Sequence, residues 1–161
     1  VNTFSKNWAM TGWRIGWIEA PPELGDVIEN LIQYSTSGVA VFVQRAAVAA
    51  LEQGEGFLAH QLSRIAESRR ILLDALTGAP GVRFAEPAGA FYLFFAVEGI
   101  DDPAGLGFRL VDEAGIGVAP GTAFGAAGAG WARLCYARGP ESMRDVAERL
   151  GGWLAKRATG S

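Results

Sequence analysis

Apolar side chains recur at helical spacing over much of the first half of the chain. Between residues 22 and 34 they are three or four positions apart, which predicts a helix with one buried face. Residues 39–54 are rich in alanine and apolar nearly all round, so we expect a second helix that is deeply packed and ends at Gly54. The longest periodic run, residues 55–76, predicts a helix that bridges two domains.

The second half of the chain alternates between strand and helix patterns. Two strands are predicted in 81–99, separated at Pro87 and Gly89, then a helix opening at Asp102 and Pro103. Short strands within 115–121 and 130–139 and an amphipathic helix over 140–158 complete the pattern. The inward residues of this last helix are predicted to be Met143, Val146, Leu150 and Leu154.

The order of these elements, counted from residue 55, is helix, strand, strand, helix, strand, strand, helix. It predicts an α+β domain with an open, largely antiparallel sheet and helices on one face. The segment "AFGAAGAG" at 123–130 is predicted to be a flexible surface loop because glycine and alanine dominate it.

Composition narrows the class of protein. Of 161 residues, 50% are hydrophobic and 19% are charged, which argues against disorder, and no apolar run approaches the roughly 20 residues needed to span a bilayer. A net charge of -3 gives no basic field for nucleic acid or anionic lipid. The single Cys135 excludes an internal disulfide, and we expect a cytoplasmic protein. Because the chain opens with "VNTFSK" rather than Met, we interpret it as a fragment.

The stretch "TFSKNWAMTGWRIGWIEA", residues 3–20, concentrates the candidate chemistry. It predicts a loop around Lys6 and a strand from Arg14 to Glu19. An amine is nucleophilic only in its neutral form, and we expect three apolar neighbours to desolvate Lys6. These neighbours are Phe4, Trp8 and Met10.

Donors suited to a phosphate lie beside the lysine. The hydroxyls of Thr3 and Ser5 fall on one side of an extended segment, and the guanidinium of Arg14 can bind phosphate through two parallel hydrogen bonds. Gly12 and Gly16 flank the arginine and permit a close approach of backbone to a ligand or a neighbouring strand.

The segment "TFSKNWAMTGWRIGW" resembles the cofactor-lysine segment of the class I/II pyridoxal-phosphate aminotransferases of fold type I. The resemblance implies that Lys6 is the catalytic residue and binds pyridoxal 5'-phosphate covalently. It implies that Ser5 and Arg14 bind the phosphate, as does Thr3, which replaces the family's usual Ser or Gly.

Further segments extend the resemblance to essentially the whole chain. "EPAGAFYLF" and "GIGVAPGTAFG" are similar to the family's small domain, and "GWARLCYA" to the segment whose arginine binds the substrate carboxylate. This implies that Arg133 binds substrate, the alternative being an exposed arginine on an edge strand. Cys135 stands where the family often has Ser, a tolerable change if the side chain is buried. Arg138 is expected to be structural.

The resemblance implies an α/β fold in which residues 1–54 end a large cofactor-binding domain. Residues 55–161 then form the bridging helix and the small C-terminal domain. The implied activity is transfer of an amino group from an L-amino acid such as aspartate to a 2-oxo acid, in a homodimer. In the family, the residues that pair with the pyridine nitrogen and stack on the ring lie upstream of the lysine, so we expect the fragment alone to be inactive.

Two alternatives remain open at this point. One is a pyridoxal-phosphate-dependent carbon–sulfur β-lyase, and the other is the aminotransferase-like effector domain of a transcriptional regulator. Other candidates are expected to be structural. They are His60 as a lone histidine, Trp13 and Trp17 as packing residues, Asp101 with Asp102 as a turn and cap, and Tyr92 as a core aromatic with a lesser possibility of approaching a ligand.

Overall fold

The computed structural model describes residues 1–100 and 102–159 and shows two compact units, Val1–Gln61 and Leu62–Ser161. In the described part of the chain, no helix is both long enough and apolar enough to cross a membrane.

The first unit pairs two very short strands and then continues as helices. Its elements are β1 (Asn2–Thr3), a 3-10 turn (Thr11–Trp13), β2 (Gly16–Trp17), a 3-10 turn (Pro22–Leu24), α1 (Gly25–Ser35), α2 (Val41–Gln53) and the start of α3 (Glu55–Leu76). The two strands are antiparallel, with Thr3 opposite Gly16. The strand predicted from Arg14 to Glu19 is therefore only two residues long. At its N-terminal end the left-handed backbone of Arg14 (φ 53°, ψ 51°) interrupts the extended chain.

The helices of the first unit form where the periodicity predicts them, but they are poorly buried. Helix α1 has no buried residue, and Leu31 is 63% exposed. In α2 only Val43 and Ala47 are buried, while Phe42 is 71% exposed. The prediction that this helix is deeply packed is wrong for the described chain. The small core beneath it, built on Phe4, Met10 and Ala47, covers only one stripe of α2.

The second unit contains one four-stranded sheet and the helices that cover it. Its further elements are β3 (Val82–Phe84), β4 (Tyr92–Val97), α4 (Gly105–Ala114), β5 (Ala119–Pro120), β6 (Trp131–Cys135) and α5 (Pro140–Ala158). The strand order is β3–β4–β6–β5, and every neighbouring pair is antiparallel. This confirms the predicted antiparallel sheet and the predicted order of elements.

One face of this sheet carries the core. Alternation along β4 and β6 directs Leu93, Phe95 and Leu134 towards α3, α4 and α5, whose buried residues join the same cluster. The helical contribution comes from Leu72, Leu76, Leu106, Leu110, Met143, Leu150, Trp153 and Leu154. The helices therefore lie on one face, as predicted, and the other face, here called the open face, carries the half-buried Phe94, Trp131 and Arg133.

The boundaries of two helices agree with the sequence and those of a third do not. Helix α3 spans the predicted residues 55–76, and α5 begins at Pro140. Helix α4 begins at Gly105 rather than at Asp102, whose side-chain Oδ1 instead accepts a hydrogen bond from the Ala104 N–H at 3.0 Å. Asp102 therefore caps a turn before the helix; the prediction for Asp101 lies outside the described residues.

The glycine-rich segment that precedes β6 is folded into two 3-10 turns, Gly121–Phe124 and Ala126–Gly128. The turns pack backbone against backbone, because a Cβ added to Gly121 would lie 2.1 Å from the carbonyl oxygen of Gly128. The glycines thus serve close packing, whereas the sequence suggested only a surface loop.

Candidate active site

Lys6 lies in a tight turn that follows β1. The Trp8 N–H donates to the Phe4 carbonyl at 3.3 Å across this turn, and Lys6 is exposed at its apex. Phe4 and Met10 are buried in the small core with Ala47. The apolar neighbours therefore support the turn from beneath, whereas the sequence suggested that they would surround the amine.

The two hydroxyls before the lysine lie side by side, as the alternation predicts. The Thr3 hydroxyl donates to Ser5 Oγ at 2.9 Å, and the Ser5 N–H donates to Thr3 Oγ1 at 3.1 Å. Thr3 is exposed and Ser5 is buried. The pair therefore presents one accessible hydroxyl, at Thr3, beside a second that the turn fixes in place.

Arg14 lies two residues before β2, the strand that pairs with β1. Its left-handed backbone ends the 3-10 turn, and its Nη1 donates to the Thr11 carbonyl at 2.8 Å. Gly16 allows the strands to meet, because a Cβ there would lie 2.4 Å from the Asn2 carbonyl oxygen. Gly12, by contrast, has open space around it. Gly16 therefore allows the predicted close approach to a neighbouring strand, while the space beside Gly12 is left for a ligand as a prediction.

Arg133 belongs to the second unit and faces the open side of the sheet. It is half-buried on β6, and its guanidinium carbon lies 4.1 Å from the ring centroids of both Tyr92 and Phe124. Among residues 1–100 and 102–159, no carboxylate forms an ion pair with it. Arg133 is therefore a half-buried cation held by aromatic rings, and the alternative of a simply exposed edge arginine is wrong: β6 is an inner strand.

The surroundings of Arg133 correct two predictions. Tyr92 is half-buried on the open face and packs against Arg133, so it is not a core aromatic. The sequence gives no signal for Phe124, because its contact with Arg133 depends on the fold of a turn nine residues before the arginine. Cys135 is exposed on β6, opposite Tyr92. The condition under which Cys was expected to replace the family's Ser, a buried side chain, is therefore not met.

The other residues considered from the sequence lie outside the surroundings of Lys6 and of Arg133. Trp13 and Trp17 are 47% and 40% exposed, and Trp17 packs against Phe4 with ring centroids 5.1 Å apart. His60 is exposed on α3. Arg138 has a structural role through its backbone, since its carbonyl accepts a hydrogen bond of 2.8 Å from the fully buried Ser68.

Comparisons with known proteins place this geometry in context. The family model described as aminotransferase class I and II matches residues 1–150. Over 153 residues the chain is 36% identical to an aspartate aminotransferase of Pyrococcus horikoshii, and the match covers 93% of this chain and 39% of that protein. A probable aspartate/prephenate aminotransferase of Aquifex aeolicus is 35% identical over 156 residues, with the same two coverages.

A solved structure agrees with these sequence relatives. The aromatic aminotransferase of Pyrococcus horikoshii superposes with a TM-score of 0.88 at 31% identity, covering 97% of this chain and 42% of that one. The chain thus spans about two fifths of the length of the relatives it matches, and the part it matches is their C-terminal portion.

Proposed function

The chain belongs to the aminotransferase class I and II family, and from this premise we propose that it forms the cofactor-lysine and carboxylate-binding part of an enzyme that transfers amino groups. The donor is an L-amino acid and the acceptor a 2-oxo acid. The observation that carries the proposal is twofold: the Thr3 and Ser5 hydroxyls are bonded to each other beside the Lys6 turn, and β1 pairs with β2, which begins two residues after Arg14.

The family implies pyridoxal 5'-phosphate as cofactor, and the donor set fits it. An exposed amine suits the aldehyde, and hydroxyls with a guanidinium suit the phosphate. We assign Lys6 to covalent attachment and Thr3, Ser5 and Arg14 to the phosphate. When bound, the cofactor supplies a ring that accepts the electrons left at the substrate Cα.

The residues of the chain divide the remaining work. Once the amine of the substrate has displaced Lys6 from the cofactor, the freed Lys6 Nζ would act as general base and move the proton of the substrate Cα. Arg133 binds the α-carboxylate through its planar fork, which fixes the direction of the Cα–H bond. The donor would leave first as its 2-oxo acid while the enzyme retains the amino group, and a second 2-oxo acid would then take that amino group, so we expect ping-pong kinetics.

The proposal extends to the substrate, the oligomeric state and the cellular location. The named relatives act on aspartate, prephenate-related and aromatic substrates, so we propose an L-amino acid, with aspartate as the first candidate. A homodimer in the cytoplasm is the arrangement we expect. Neither a β-lyase nor a regulator's effector domain is favoured, since the named relatives are aminotransferases.

The first test traps the proposed bond to Lys6. The chain is mixed with pyridoxal phosphate, reduced with borohydride, and the modified peptide is mapped by mass spectrometry. We expect label on Lys6 and its loss in Arg14→Ala, because the arginine anchors the phosphate. Lys156, exposed on α5, is the internal control. Equal labelling of Lys6 and Lys156 would contradict a cofactor site in this chain.

A second test concerns turnover. We expect the 161-residue chain with excess cofactor to give no measurable amino transfer, because it corresponds to 39% of its aspartate aminotransferase relative. Production of glutamate from aspartate and 2-oxoglutarate is the assay. Robust turnover would show that these 161 residues suffice and would overturn this expectation.

A further inference from the structure

We propose that Tyr92 and Phe124 are positioning residues for Arg133, holding its guanidinium between two rings so that a ligand reaches it along its edge. The inference deepens the proposed function and rests on it, since it takes Arg133 as the carboxylate-binding residue. Neither ring is assigned a part in the chemistry.

The first step is the geometry of the contacts. Both ring centroids lie 4.1 Å from the Arg133 guanidinium carbon, well inside the roughly 6 Å over which a cation is attracted to a ring face. Tyr92 begins β4, and Phe124 ends the turn that follows β5. Strands β4 and β5 flank β6 on its two sides, so the rings reach Arg133 from opposite neighbours.

The second step is that Phe124 is itself held in place. The rings of Phe124 and Phe94 meet in a T-shaped pair with centroids 6.0 Å apart, and Phe94 stacks on Trp131 at 5.7 Å with 14° between the planes. The turn that carries Phe124 is fixed by the backbone packing of Gly121 on Gly128. A half-exposed phenylalanine therefore has a defined position beside the arginine.

The third step concerns charge. Rings stabilise a guanidinium without neutralising it, and the described part of the chain places no carboxylate on Arg133. The donors at the edge of the guanidinium then remain available for a bidentate carboxylate in the same plane. Because a lysine has no such plane to stack, the arrangement is specific to arginine.

The experiment reads the Arg133 side chain directly. In the 15N-labelled chain, the Nε–H resonance of Arg133, assigned with Arg133→Lys, is expected to be shifted upfield by ring currents. Phe124→Leu and Tyr92→Leu should each move it towards the position of an exposed arginine. The ring-retaining variants Phe124→Tyr and Tyr92→Phe should restore it. Phe108→Leu is the matched control, because Phe108 is 69% exposed on α4 and lies outside this group.

Succinate then probes the ligand class in the same samples. We expect it to shift the Arg133 resonance, and to bind about tenfold more weakly to Phe124→Leu than to Phe124→Tyr. An unshifted resonance in the wild-type chain, or equal succinate binding by these two variants, would overturn the positioning role. If the Arg133 resonance is ring-shifted but does not respond to succinate, the positioning role of Tyr92 and Phe124 is supported and the proposed function is contradicted.

Discussion

Tyr136 follows β6 and is 1% exposed in the core of the second unit. Its hydroxyl donates to the Ala90 carbonyl at 3.2 Å. Burial raises the pKa of Tyr136 above its usual value, with Arg69 opposing the shift. Because the folded state favours the neutral phenol, it holds its proton at a pH where the unfolded chain releases it.

This environment predicts a loss of stability in alkali. The contribution of Tyr136 is complete below the unfolded pKa of about 10 and is lost as the pH rises through the raised folded pKa. Tyr136→Phe should lower the free energy of unfolding by about 1 kcal/mol at neutral pH, because a buried hydrogen bond is lost. Above pH 10 the free energy of unfolding of Tyr136→Phe should decrease less steeply with pH than that of the wild type.

Urea unfolding between pH 8 and 11 measures both effects. Tyr34→Phe is the control, since Tyr34 is 90% exposed and lacks the buried surroundings of Tyr136. Identical alkaline slopes for the wild type and Tyr136→Phe would refute the assignment.

At the scale of elements, the Lys6 turn depends on a ribbon of two short strands. Residues Asn2–Thr3 pair with Gly16–Trp17, and the pairing sets Thr3 and Ser5 beside the segment that carries Arg14. A ribbon of two short strands is held by few contacts, so a single added Cβ between the strands is expected to disturb the residues around Lys6.

The two glycines around Arg14 give a matched pair of tests. Gly16→Ala should lower the free energy of unfolding of the chain by about 1–3 kcal/mol, because its Cβ would lie 2.4 Å from the Asn2 carbonyl. Gly12→Ala adds the same atom in open space and should cost little. Urea unfolding compares them, and borohydride labelling of Lys6 should fall only in Gly16→Ala. Equal behaviour of the two variants would show that the strand contact does not support the site.

At the scale of the whole molecule, the two units differ in how well they bury their apolar residues. The second unit encloses a cluster that includes Phe95, Leu110 and Leu150, each at 0% exposure. The first unit leaves Leu31 on α1 and Phe42 on α2 exposed. Exposed apolar surface of this kind favours association, because its removal from water is worth about 25 cal/mol per Å².

We therefore expect the chain to self-associate. Light scattering should give a mass above that of one chain, and Leu31→Glu should lower it by placing a charge on the apolar face of α1. Gln33→Glu on the same helix adds the same charge at a polar position and should have little effect. A monomeric wild-type chain, or an equal response to both substitutions, would count against this expectation.

The sequence by itself determined the main helices, the type of sheet and the segment that carries the candidate chemistry. The periodicity of apolar residues predicted the bounds of α3, and Pro140 indicated where α5 begins. The order of the elements predicted the antiparallel sheet, and a contiguous motif identified the segment around Lys6 and indicated its family. These features depend on residues close together in the chain, which periodicity and motif spacing record directly.

Tertiary structure alone decided the rest. β2 is limited to the two residues that pair with Asn2 and Thr3, and the small core of the first unit leaves most of α2 exposed. The contacts of Arg133 with Tyr92 and Phe124 join residues that are 41 and 9 positions apart, through the register of three strands. No local pattern specifies which side chains meet across a sheet, because pairing is settled only when the whole unit packs.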